Sequence, residues 1–379
     1  MALLDALRPS SRRDRWAHYV HCREIDSAWR EACLGAGVGV AVDAPIAGTG
    51  HRTPKLTSIR LGPPVSLTVQ LCPGMTAGDI ARAGRRIAPY LGGVDLRVAD
   101  RGHGWAVVDV LATDPLADAL AGVRRVRTVY EPLRLGVDEH GRDLPLSLVD
   151  AAHVVMQGAT GSGKSTALYG LLAGIAEAVD VRVTGSDVSG LVLGPLAHRP
   201  GVDVALGTGD AARHEHVLAA AVAEMDRRIA EMPAGVDVLP VDAGHPLLLV
   251  VVEEWTGLLR VADRAGKPTG AAVRSHLARL LGEGRKAGVR CILATQRAEA
   301  ALVGGYERGQ ASHVISFRVD SVGTLRLLHP DATPEQAGEH AAAPAGVGLL
   351  TAPGRPLTRF RAPLVSYAEY WAAVAGDRQ

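Results

Sequence analysis

Hydrophobic and polar positions change their period along the chain, and the changes divide it into three stretches. Residues 1–60 carry no sustained pattern beyond a short helix expected around 15–33, followed by the Gly-rich run LGAGVGVAVDAPIAGTG. From Val65 the apolar residues Val65, Leu67, Val69 and Leu71 alternate with polar ones, the period of a half-buried strand. The turn-forming PGMTAGD then leads into a helical stretch, IARAGRRIAPYL, and two strand-like runs follow, VDLRV and WAVVDVLA. Strand, helix, strand, strand predicts a small α+β domain over 61–135.

Beyond it the period alternates between 2 and 3.6. The runs HVVMQG, VRVTG, VDVAL, LLLVVV, VRCILAT and HVISFRV read as strands; helices are expected over 164–178, 212–231 and 271–286, with a last one in the tail PLVSYAEYWAAVAG. Runs as continuously apolar as LLLVVV belong to strands covered on both faces. The expectation for 136–379 is therefore an α/β unit with a mostly parallel central sheet and helices on each side, its site at the C-terminal ends of the strands.

Composition narrows the classes. With 379 residues, 47% of them hydrophobic, the chain can build more than one core, which excludes a single small binding module. Lys and Arg total 41 against 40 Asp and Glu, so any polyanion must meet a local patch and a tail-type binder is excluded. The arginines at 12, 13 and 15 suit a solvated helix end better than a nucleic-acid contact. Cys22, Cys33, Cys72 and Cys291 have no zinc or redox spacing and are expected reduced, as in the cytoplasm. The N-terminus lacks the apolar core of a signal peptide and no run of about 18 apolar residues occurs, so work at a membrane requires recruitment by partner proteins.

The chemistry centres on one motif. Gly158-Ala159-Thr160-Gly161-Ser162-Gly163-Lys164-Ser165, followed by Thr166, fits GxxxxGK[ST] between a predicted strand and a predicted helix. Its backbone N–H groups can cradle phosphate oxygens at the positive end of the helix, Lys164 can reach the β- and γ-phosphates, and the Ser165 hydroxyl can ligate Mg2+. This is a nucleoside triphosphate site. The LLLVVV strand ends in Glu253-Glu254; Glu253 is assigned to the metal and Glu254 to the attacking water. VRCILAT runs into Gln296, placed to hydrogen-bond the γ-phosphate or the water. Arg285 has two readings, a finger for a neighbouring subunit's nucleotide or a cation stabilising a helix end. His214-Glu215-His216 is expected to be an exposed polar turn, since neighbours two apart on a helix point in different directions. Asp187 shapes the edge of the site or a turn, and Trp255 belongs to core or interface more readily than to a nucleotide contact.

These residues together resemble the FtsK/SpoIIIE-type DNA translocases, including the single-motor transfer proteins of actinobacterial conjugative plasmids. The resemblance runs from about 62 to 366. It covers GPPVSLTVQLCPGMTAGDIARAG, similar to the family's small α domain, AAHVVMQGATGSGKS, similar to the entry into its motor, RKAGVRCILATQRAEAALVGGYERGQASHVISFRVDS with its ATQR signature, and the closing GVGLLTAPGRPLTRFRAPLVS. It implies a RecA-like motor over 136–379, ATP with Mg2+, and a hexameric ring that pulls double-stranded DNA through its channel. Carried over, Glu254 becomes the catalytic acid of the second Walker motif, Gln296 the γ-phosphate sensor, and Arg285 and Arg326 match family arginines, the second near the subunit boundary. Arg264 and Lys267, in RVADRAGKPTGAAVR, are read as a channel loop, and Arg308 matches a family lysine; solvated loop charge is the alternative for each. Glu253 replaces the usual aspartate, and Asp187-Val-Ser stands for the usual Asp-Pro-Lys. The expected transaction is conjugative plasmid transfer or chromosome segregation. A related-type secretion ATPase moving polypeptide and a nucleotide-gated DNA coupling or docking protein are the competing readings.

Overall fold

A computed structural model describes residues 12–44, 48–62, 64–151, 153–296 and 309–375, which form parts of two compact units, Met1–Ala117 and Asp118–Gln379. In the first, helix α1 (Arg12–Gly35) and the hairpin of β1 (Val40–Ala44) and β2 (Gly48–Arg52) precede an antiparallel sheet. The sheet is ordered β3-β4-β6-β5, from β3 (Lys55–Arg60), β4 (Val65–Gln70), β5 (Asp95–Gly102) and β6 (Trp105–Leu111). Trp29 and Cys33 of α1 are buried with Leu67, Val69, Ile80 and Val108, and the Trp29 indole donates to the Pro54 carbonyl at 2.8 Å. The division expected at residue 60 therefore falls inside one core, where β3 pairs with β4.

The single helix expected for IARAGRRIAPYL is three short turns: α2 (Ala77–Arg82), α3 (Gly84–Ile87) and a 3-10 turn over Ala88–Leu91. Asp79 closes a capping box on Thr76, which starts α2. Pro89 has no N–H to extend a helix, and a Cβ at Gly84 would stand 2.9 Å from the Asp95 carboxylate, so the chain bends to pack beside β5.

The second unit is built on a ten-stranded sheet. In chain order its strands are β7 (Leu133–Asp138), β8 (Asp143–Leu146), β9 (His153–Gln157), β10 (Val181–Asp187), β11 (Asp203–Leu206), β12 (Leu247–Glu253), β13 (Val289–Thr295), β14 (His313–Phe317), β15 (Val347–Ala352) and β16 (Arg355–Arg361). The spatial order is β11-β10-β12-β13-β9-β14-β15-β16-β7-β8. The six strands from β11 to β14 are parallel, as expected; the last four extend the sheet antiparallel. Because β7 pairs with β16, the stretch from Asp118 belongs with this unit, and the boundary lies at 117/118 rather than at 135/136.

Helix α4 (Lys164–Gly174) lies in the core on one face of the sheet, and α5 (Ala211–Ala230), α6 (Trp255–Ala265) and α7 (Lys267–Glu283) supply the core on the other. Strand β12 serves both: Leu247, Leu249 and Val251 enter the first core, and Leu248, Val250 and Val252 the second. That double burial is why this strand shows no polar alternation. The tail forms α8 (Val322–Leu328), α9 (Pro334–Ala341) and α10 (Tyr367–Val374), and Tyr370 of α10 stacks on Tyr169 of α4 with ring centroids 4.7 Å apart.

Candidate nucleotide site

The motif predicted to cradle phosphate leaves the C-terminal end of β9, which lies between β13 and β14, and enters α4. Both neighbours anchor its start: the Gly158 N–H donates to the Thr295 carbonyl at 3.2 Å and that of Ala159 to the Arg318 carbonyl at 2.9 Å. Ser162 N–H closes the turn on the Ala159 carbonyl, and its own carbonyl accepts from Gly346 N–H at 2.8 Å. Gly163 holds φ at +101°, and a Cβ there would lie 2.5 Å from the Gly346 nitrogen, so a side chain is excluded by conformation and by space alike. Residues 158–166, Glu253 and Gln296 line a crevice of about 200 Å³.

Lys164 and Glu253 meet in it as a buried ion pair, Nζ to Oε1 3.3 Å. Burial pushes the Glu253 carboxyl above the usual carboxylate range, opposed by Lys164 and reinforced by the charges of Asp187 and Glu254. Glu253 Oε2 and Ser162 Oγ are buried without a hydrogen-bond partner among the described residues. A carboxylate oxygen with spare capacity, close in the crevice to the half-buried Ser165 hydroxyl, is an oxygen donor set that fits Mg2+.

Glu254 stands apart from its neighbour in backbone and in partners. Its φ of +54° and ψ of +63° are left-handed, rare for a residue other than glycine and concentrated where function holds strain. From the N-cap of α6 its Oε1 accepts from the Thr256 hydroxyl at 2.6 Å and the Thr295 hydroxyl at 3.3 Å, while Oε2 accepts from the Gln296 backbone N–H at 3.0 Å. Strand β13 lies between β12 and β9, which is how Gln296 comes to stand between the acid pair and the phosphate cradle with its side chain exposed. Thr256 and Thr295 escaped the sequence reading; a hydroxyl two residues after the acid pair and another just before Gln296 were the available signals.

The remaining candidates are distributed unevenly. Arg326 is exposed on α8, close in sequence to Thr324, which contacts Gln157 at the entry to the cradle. Arg285 lies on the 3-10 turn Gly284–Ala287 before β13, about 20 Å along the strand from its site end, so it does not join this chain's own crevice. Arg264 and Lys267 are exposed, but the expected channel loop is a corner between α6 and α7. Gly266 makes the corner at φ +144° and Pro268 fits the first turn of α7, so residues that read as loop punctuation serve a helix junction. Across it Arg274 pairs with both oxygens of Asp263 at 2.7 and 2.6 Å. Arg308 lies outside the described residues.

Asp187, in register with Glu253 at the end of β10, also forms the turn that follows. Its two oxygens accept five hydrogen bonds from Ser189, Gly190, Val192 and Leu193, which fixes the loop after β10. His214 to His216 are helical, not a turn: His214 is buried between Ser186 and the Gly207 carbonyl, and His216 is exposed. No cluster of three or more metal-ligating side chains of His, Cys, Asp or Glu type occurs among the described residues. Nor is any helix described here long and apolar enough to cross a membrane.

A phosphate cradle on a central parallel strand, an acid pair two strands away and a polar strand end between them define a P-loop nucleotide-binding fold of RecA-like α/β type. Solved structures share this fold. The cytoplasmic domain of the Thermomonospora curvata type VII secretion ATPase EccC superposes with a TM-score of 0.54 at 23% identity, over 70% of this chain and 33% of that one. The pCW3 conjugation coupling protein TcpA gives 0.53 at 16% identity, over 92% and 98%. Residues 119–239 match the model of the FtsK/SpoIIIE family, beginning just inside the second unit. The DNA translocase FtsK of Mycobacterium tuberculosis is 26% identical over 358 residues, 86% of this chain and 41% of that protein. For the DNA translocase FtsK of Streptomyces avermitilis the figures are 26%, 72% and 33%. The resemblance to FtsK/SpoIIIE-type translocases is thus borne out, and the chain spans less than half the length of these relatives.

Proposed function

We propose that the chain hydrolyses ATP and uses it to move double-stranded DNA, as one subunit of a hexameric ring. The observation that carries the hydrolytic half is Glu254, left-handed in backbone and hydrogen-bonded to Thr256, Thr295 and the backbone N–H of Gln296, the residue that lines the crevice next to it. A switch that only binds nucleotide has no need of a second carboxylate positioned at such cost.

In this reading the backbone from Gly158 to Gly163 holds the phosphates and Lys164 turns from Glu253 to the β- and γ-oxygens. Ser165 and Glu253 would hold Mg2+, which would supply charge neutralisation to the phosphates. Glu254 orients and deprotonates the attacking water, and the Gln296 amide reads whether the γ-phosphate is present. Arg326 serves the nucleotide of a neighbouring chain, and Arg285, distant from its own crevice, reaches a nucleotide only in that way or else stabilises the end of its own turn.

Helix α6 begins at Glu254 and ends beside Arg264, so about 16 Å of rigid helix connects the hydrolytic acid to the cationic corner. Arg264, Lys267 and Arg308 are the proposed DNA contacts; a few cations per subunit suffice when six copies line one channel. The similarity to DNA translocases supports this polymer. The transaction proposed is conjugative plasmid transfer or chromosome segregation, with recruitment from the cytoplasm by membrane-associated partners. Steady-state ATP hydrolysis with and without long duplex, at two salt concentrations, tests it. Stimulation by duplex that fades with salt is expected; an ATPase indifferent to DNA and stimulated by a protein signal would replace it with polypeptide secretion.

A further inference from the structure

One buried polar cluster beside the nucleotide site has no part in the chemistry above. Gln157, the last residue of β9 and the one before Gly158, is fully buried, in register with Thr295 on one side and Ser316 on the other. Its Nε2 donates to Ser316 Oγ at 2.8 Å and to the Thr324 carbonyl at 3.4 Å. The same Ser316 hydroxyl lies 2.7 Å from Nε2 of the buried His329, whose Nδ1 lies 2.7 Å from the Thr351 hydroxyl on β15.

These contacts bracket α8. Thr324 sits in its first turn, where the Ser321 side chain accepts from the Thr324 N–H, and His329 is its C-cap. Arg326 lies between them, exposed and without an ion pair among the described residues. Buried amides and imidazoles are costly unless each is paired, and an apolar contact would pack β9 against β14 equally well. What the polar chain adds is direction, because hydrogen bonds fix the rotation and slide of α8 against the strand that carries the phosphate cradle.

We infer that Gln157, Ser316 and His329 are positioning residues that hold the Arg326 helix in register with the phosphate loop, so that a change in the loop alters how Arg326 is presented to a neighbouring chain. This rests on the role proposed above for Arg326. The cluster acts through that helix: none of Gln157, Ser316 and His329 lines the nucleotide crevice.

The test uses the full chain with Gln157→Leu, Ser316→Ala, Arg326→Ala and the Gln157→Leu/Arg326→Ala double variant. Thermal unfolding, affinity for a non-hydrolysable ATP analogue, and kcat and KM are measured for each. Analogue affinity of Gln157→Leu and Ser316→Ala within about twofold of wild type, with kcat about fivefold lower and KM unchanged, is expected. The double variant should be no slower than Arg326→Ala alone. Undiminished kcat in both single variants, multiplying effects in the double variant, or losses of analogue affinity and melting temperature in both would each overturn the inference. An inactive wild type would instead contradict the proposed function.

Discussion

The Glu254 carboxylate accepts a 3.0 Å hydrogen bond from the backbone N–H of Gln296 and so ties the end of β12 to the end of β13. Two strands that each deliver one polar residue to the crevice are locked at their tips. In the proposed mechanism, a shift of Gln296 on loss of the γ-phosphate would be transmitted to Glu254, and through Glu254 to the first turn of α6.

Replacing Glu254 by Gln keeps the shape and removes the base. Turnover should fall by about 10² or more while nucleotide binding is retained, as measured by steady-state hydrolysis and analogue titration. A Glu254→Gln variant with wild-type turnover would remove Glu254 from the chemistry.

Gly163→Ala places a Cβ 2.5 Å from the Gly346 nitrogen in a backbone region that L residues avoid. Nucleotide binding should be abolished, and the fold destabilised by on the order of 1–3 kcal/mol. Calorimetric titration and denaturant unfolding read the two effects separately.

Stability should fall at acid pH. Burial, then the charge of His340, holds His329 down at about 3; burial, then Arg290, holds His153 at about 4. Both stay neutral in the fold at neutral pH, whereas the unfolded chain takes up their protons below about 6.5. Their contribution is therefore fully present above about pH 6.5 and is lost progressively as pH drops toward those depressed values. Melting temperature against pH checks this, and His329→Gln should flatten the slope.

Arg264→Ala and Lys267→Ala should each weaken duplex binding across sequences and reduce the salt slope by roughly one unit, without changing nucleotide affinity. Anisotropy titrations at several salt concentrations measure both.

Much of this was legible in the chain. The doubly buried β12 announced itself because alternate residues enter different cores, leaving no polar period, and the phosphate cradle because its glycines answer local geometry. Helix α7 was expected over 271–286, but α6 and the junction before α7 were hidden, since Gly266, Lys267 and Pro268 look like loop residues until they are seen to break one helix and start the next. The division at residue 60 failed because α1 contributes Trp29 to a core that forms only through contacts distant in sequence. Gln157 and His329 were silent for the same reason: they are 172 residues apart, and only the pairing of β9 with β14 makes them one cluster.

The most direct test of the motor is displacement of a triplex-forming strand from long duplex DNA by the wild-type chain and by Glu254→Gln, each with ATP and Mg2+. Displacement by the wild type alone, in proportion to ATP consumed, is the result this account predicts. Hydrolysis and duplex binding without displacement would contradict it and leave a nucleotide-gated coupling protein in place of a translocase.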